Sequence, residues 1–119
     1  MDELSKKINK IVYEYISDVN KHIRIDKAYL YGSYAKGNYN EHSDLDIAIF
    51  SDEFKDQSFV DAVSFLFSIA RKYKDICIEP VAFTTSDLYE YNPFVKEIVE
   101  TGKEILVKGK GRKSEGQVP

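Results

Sequence analysis

Asp44 and Asp46 stand two residues apart at the start of the run DLDIAIF (44–50), which reads as a β-strand. Alternate side chains of a strand leave the same face. The spacing therefore sets both carboxylates side by side, while Leu45, Ile47 and Ile49 turn to a core. Two carboxylates on a rigid strand repel each other, and protonation or a hard divalent cation such as Mg2+ relieves the repulsion. The competing reading is a pair that caps or solubilises an exposed strand end. Upstream, Gly32-Ser33 follows one strand and opens a helix. Glycine lets an anion approach the backbone, free N–H groups face it, and the serine hydroxyl donates to a phosphate oxygen. Taken alone, such a pair is more often only a turn. Together the two features put an anion cradle at the end of one strand and a metal pair on the next, as a metal–nucleoside triphosphate requires.

The elements that must hold these residues are legible in the apolar spacing. Leu4, Ile8, Ile11, Val12, Tyr15, Ile16 and Val19 recur at threes and fours, which predicts an amphipathic helix over 2–21. KAYLY (27–31) reads as a strand stopped by Gly32-Ser33, with Ser33 expected to cap a short helix through Lys36 and Gly37 to end it. Residues 38–43 read as a polar loop and 51–57 as a charged connection. A second helix is expected over 58–73, with Val60, Val63, Phe65, Leu66, Phe67, Ile69 and Ala70 on its buried face. ICIEPVAF (76–83) reads as a strand that Pro80 confines to an edge or a strand end. Ser86-Asp87 is expected to open a short helix, and Pro93 to sit in the first turn of another that Gly102 ends. EILVK (104–108) is a candidate last strand. The alternation of helix and strand predicts an α/β (α+β) fold, a small mixed sheet of three to four strands flanked by helices. One domain is expected over 1–107, followed by a flexible basic tail over 108–119.

The 119 residues carry 17 Lys plus Arg against 20 Asp plus Glu, a formal net charge of −3. That figure averages a tail of +3 and a preceding chain of −6, whose excess is concentrated between Glu41 and Asp61 around the single cation Lys55. Broad affinity for nucleic acid is not expected of such a domain. No run reaches the ~18 apolar residues of a membrane span. The charged N-terminus lacks the apolar segment of a signal peptide. Cys77 alone makes neither an internal disulfide nor a thiolate cluster, and a reduced, cytoplasmic protein is the expectation.

The stretch GSYAKGNYNEHSDLDIAI, with ten residues between Gly32-Ser33 and Asp44-Leu45-Asp46, resembles the signature of the DNA polymerase β-like nucleotidyltransferase superfamily. The match is closest to its minimal (MNT) branch, whose members are typically encoded beside a HEPN-domain partner and several of which act as antitoxins. The resemblance covers about Leu30 to Phe83 in motif and residues 1–107 in element order. It implies a third carboxylate on a neighbouring strand, for which Glu79 is the first candidate and Asp75 the second. Glu79 shares a strand face with Cys77 and Val81, where a lone carboxylate would be costly without a partner. Many members use Asp in that role, so Glu79 departs from the pattern. The resemblance further implies two Mg2+ ions, or Mn2+, held by Asp44, Asp46 and Glu79. It gives Gly32 and Ser33, with Lys36 as an addition, the phosphates of ATP or another NTP. It also implies association with a partner or a second copy of the chain.

The activity so implied is transfer of NMP, most directly AMP, to a hydroxyl acceptor on a HEPN-domain toxin. A non-catalytic antitoxin that occludes its partner is the rival of another class, and an aminoglycoside-like small-molecule adenylyltransferase is the enzymatic alternative. A sugar-nucleotide Asp-x-Asp site has too little chain for its domain. Blander readings attach to the rest. His42 is a solvated loop residue, His22 interacts with the end of the first helix, and Cys77 is a buried small hydrophobe. Tyr31, Tyr34 and Tyr39 pack around the turn.

Overall fold

The computed structural model describes residues 3–40 and 42–107; the basic tail expected over 108–119 lies outside them. The run after Asp44 forms β2 (Leu45–Phe50). It is buried on both faces, with Leu45, Ile47 and Ile49 in one apolar cluster and Ala48 and Phe50 in another. Such a strand must lie inside a sheet that is covered on both sides. The other strands are β1 (Lys27–Tyr31), β3 (Ile78–Phe83) and β4 (Lys103–Glu104), in the order β3-β2-β1-β4. β1 pairs antiparallel with β2 and with β4, whereas β2 and β3 are parallel. A parallel pair needs a long crossover, and α3 (Phe59–Ala70) supplies it. α1 (Glu3–Asn20) and α3 cover the face of Ile47, and α5 (Pro93–Thr101) covers the face of Phe50 through Val95 and Ile98. Two short helices, α2 (Ser33–Lys36) and α4 (Thr85–Glu90), complete the mixed α/β fold that the sequence predicts. Among the described residues no helix is long and apolar enough to cross a membrane.

Local chemistry explains where the elements depart from expectation. Gly32, not Ser33, holds the N-cap of α2, with φ 76° and ψ −150°, and Ser33 is the first helical residue. α3 ends at Ala70, three residues early, because the chain then turns to bring Tyr73 against α1. Its buried face is Ala62, Leu66, Ile69 and Ala70; Val60, two residues before Ala62 and so about 200° around the helix, is 69% exposed. Thr84 precedes α4, where Asp87 reaches back to accept the Thr84 N–H at 2.9 Å, so the helix begins earlier than Ser86. β4 covers only two residues, after which Leu106 and Val107 leave β1 and pass beside Tyr13 and Ile16 of α1. β3 lies at the sheet edge, where Pro80 costs no ladder bond.

The tether between α1 and the α3–β3 turn is polar. The Tyr73 hydroxyl donates to Asp18 at 2.5 Å, and its ring stands edge-on to buried Tyr15 at 6.0 Å. That hydrogen bond, then the Lys21 charge, holds Asp18 below the ordinary carboxylate range despite partial burial. A depressed folded-state pKa stabilises the fold above the unfolded value and loses that contribution as pH falls through the folded one. Tyr73→Phe is therefore expected to cost about 1 kcal/mol at neutral pH, where the bond is partly solvated. In thermal melts the difference from the parent protein should shrink below pH 3.8, the ordinary aspartate value.

Candidate active site

The parallel pairing of β2 with β3 sets Asp46 opposite Glu79, and the antiparallel pairing of β2 with β1 sets Tyr31 on the other side of Asp46. Tyr31, Asp46 and Glu79 thus form a cross-strand row on the face that α5 covers farther along at Phe50. Asp44 sits one residue before β2 rather than on it. The Leu45 N–H donates to the Cys77 carbonyl at 2.8 Å, which draws the two strand entrances together. In consequence one ligand atom each from Asp44, Cys77 and Glu79 lie within 4.8 Å of one another, all on exposed side chains.

This corrects two readings. Cys77 is exposed, because β3 begins one residue later and the side chain stands at the open end of the sheet on the same side as Glu79. Glu79 is exposed as well, so register and not the cost of burial brings it to Asp46. Cys77 is the residue that sequence reasoning missed. Its shared parity with Glu79 was the available signal. Asp75 is drawn elsewhere, 3.9 Å from Lys7 of α1.

Gly32 completes the arrangement. A Cβ at this position would run into the Asp46 carboxylate oxygen, so the turn and the carboxylate pack against each other only because the residue is glycine. Its φ and ψ fall in a region that is essentially glycine's own. Ser33 follows directly, and the first N–H groups of α2 have no partner within the helix. Lys36, at the far end of α2, lies 3.6 Å from Glu97 of α5. Tyr34 and Tyr39 stack at 4.4 Å, and the Tyr34 hydroxyl donates to the Asn40 carbonyl, which fixes the loop leading to Asp44. His42 is exposed, its N–H held by Asn40, and His22 packs edge-on against Phe65.

Among the described residues, the ion pairs involve other carboxylates than Asp44, Asp46 and Glu79. Partial burial, then the charges of Glu79 and Asp44, raise the Asp46 carboxyl above its usual range. Burial first, then the charges of Asp46 and Glu79, pushes Tyr31 up to about 12. Burial first, then Asp44, Glu79 and Asp46, raises the Cys77 thiol. Asp44 and Glu79 offer oxygen donors to a divalent cation, with the Asp46 carboxylate beside Glu79 and packed against Gly32. A groove of about 690 Å³ between α1 and β4 contains none of these residues. Chemistry rather than volume locates the site.

The family model described as "Polymerase beta, Nucleotidyltransferase" matches residues 6–110. A protein of Methanocaldococcus jannaschii, provisionally named a protein adenylyltransferase, is 29% identical over 103 residues, which span 82% of this chain and 98% of that protein. The crystal structure of a provisionally named nucleotidyltransferase from Sulfolobus solfataricus superposes with a TM-score of 0.64 at 19% identity. That match covers 86% of this chain and 82% of the other, and it shows a shared fold. The chain belongs to the polymerase beta nucleotidyltransferase family.

Proposed function

We propose that this nucleotidyltransferase moves AMP from ATP onto a hydroxyl of a partner protein, with Asp44, Asp46 and Glu79 as its metal-binding carboxylates. The observation that carries the reading is the register that sets Asp46 beside Glu79 and under the Gly32 turn. The similarity to a provisionally named protein adenylyltransferase supports both the adenylyl group and the protein acceptor. The same three carboxylates would hold Mg2+, or Mn2+, as two ions. Bound there, the metal supplies charge neutralisation for the triphosphate and a lower pKa for the acceptor hydroxyl.

The chain's own groups do the rest. The N–H groups after Gly32 and the Ser33 hydroxyl bind phosphate oxygens. Lys36 is turned toward Glu97 in the present arrangement and reaches the phosphates only by leaving it. The acceptor oxygen attacks the α-phosphorus, the bond from that phosphorus to the bridging oxygen breaks, and pyrophosphate leaves. Glu79, exposed at the rim, takes the acceptor proton. The acceptor on this reading is carried by a partner, a HEPN-domain protein by the resemblance of the motif. Residues 1–107 are the catalytic unit on this reading.

The test is transfer of label. The protein is incubated with Mg2+ and α-labelled ATP, GTP, CTP or UTP, with and without the protein encoded beside it. Labelled partner with ATP, absent in Asp44→Ala/Asp46→Ala, is the expected result. Equal labelling by that double variant overturns the reading. So does neutralisation of the partner by both forms without label, which is the outcome that occlusion predicts.

A further inference from the structure

Cys77 adds a sulfur to a centre otherwise made of oxygen. We propose that Asp44, Cys77 and Glu79 form a zinc-selective inhibitory site overlapping the Mg2+ site of the nucleotidyltransferase. That the bound zinc inhibits rests on the function proposed above; that it binds does not. The three donors come from two chain segments far apart in sequence, and the Leu45–Cys77 backbone bond clamps those segments together. Their ligand atoms lie within 4.8 Å of one another. Around one tetrahedral zinc, with Zn–S of about 2.3 Å and Zn–O of roughly 2.0–2.2 Å, the donors stand about 3.4–3.6 Å apart. Rotamer changes of the three exposed side chains close that difference.

The donor types decide which ion uses the set. Mg2+ demands oxygen and near-octahedral geometry, so it takes Asp44, Asp46 and Glu79 and leaves sulfur aside. Zinc accepts thiolate, carboxylate and a lower coordination number. Sulfur coordination sends the thiol proton to solvent, and the three protein ligands leave a position for water. Asp44 and Glu79 belong to both sets, so zinc and Mg2+ cannot occupy them together. Asp46, packed against Gly32, is not part of the zinc set.

Co2+ added alone to the full chain is the probe, as a spectroscopic stand-in for zinc. A near-ultraviolet sulfur-to-cobalt charge-transfer band is expected, lost in Cys77→Ser, bleached by zinc and strongly weakened in Asp44→Asn. Zinc affinity, read against a chromophoric chelator, should fall roughly 10–100-fold in Cys77→Ser. Stabilisation by Mg2+ in thermal melts should persist in the same variant. Absence of the band, or equal zinc affinity with and without the thiol, overturns the site. A band that survives both Asp44→Asn and Glu79→Gln shows a solitary thiol and overturns it equally. These spectra need neither nucleotide nor acceptor. A cobalt band without transferase activity therefore sinks the proposed function and leaves the metal site standing, whereas activity without the band does the reverse. In the labelling reaction, micromolar zinc should inhibit the parent protein more than Cys77→Ser.

Discussion

Asp46→Asn is expected to reduce nucleotidyl transfer by at least 10²–10³-fold, the loss typical of removing one preorganised charge-stabilising group, and to make the metal-free protein more heat-stable. The two effects have one cause. Burial and the neighbouring Glu79 and Asp44 charges raise the folded-state pKa of Asp46 above its ordinary value of 3.8. For an acid raised in this way, the folded state binds the proton more tightly than the unfolded chain does. Stability then falls as pH rises from the unfolded pKa through the folded one, and the penalty persists at neutral pH. An uncharged amide of the same shape escapes it. The parent protein's melting temperature should decline above pH 4 more steeply than that of Asp46→Asn, and the variant should melt higher at pH 7 without metal. Saturating Mg2+ should reverse the order, since a ligand at 100 times its Kd stabilises by about 2.7 kcal/mol and the variant has lost a donor. Asp75→Asn is the control: its partner is Lys7 and both side chains are exposed, so activity and melting should match the parent protein. Undiminished transfer by Asp46→Asn would remove Asp46 from the chemistry. A lower metal-free melting temperature would show that its charge is not a burden on the fold.

How the site was legible follows from the same residues. Strand parity predicted Asp44 and Asp46 on one face and Glu79 on a face with Cys77 and Val81, because a period of two is a property of the backbone itself. Parity does not say which residues of two distant strands lie opposite each other. The Asp46–Glu79 register depends on the α3 crossover and the Leu45–Cys77 bond, both of which are tertiary. Cys77 was misread for a related reason. Small thiols are usually buried, but a residue one position outside an edge strand has no second layer over it. Short-range signals fared well where one chemical group decides the matter, as with Pro93 at the start of α5 and Gly37 in a left-handed turn after α2. They fared worse where packing decides, as with the early end of α3 at Ala70 and the brevity of β4. Gly32 lies between these cases. Its place in the motif was plain, yet the sequence suggested access for phosphate, whereas the geometry adds a second demand from Asp46.

That second demand makes Gly32→Ala the other large effect. Alanine must adopt φ 76° and ψ −150°, at a cost of order 1–3 kcal/mol. Its methyl must also displace the Asp46 carboxylate or the turn itself. Relief by moving Asp46 spoils the metal donors, and relief by moving the turn spoils the phosphate cradle, so either route damages the site. Transfer should fall at least 10–100-fold in protein that is still folded at the assay temperature, as expected when a donor is misplaced by about an ångström. Gly37→Ala separates strain from site. Gly37 also has positive φ, at 86°, but a Cβ there meets nothing within 4 Å. That variant should lose about 1–2 kcal/mol of stability while keeping its activity within a few-fold. Comparable melting shifts with unequal activities would place the defect at the Gly32–Asp46 contact. If folded Gly32→Ala transfers nucleotide as well as Gly37→Ala does, the packing of the turn against Asp46 has no part in catalysis. The carboxylate row must then act without it.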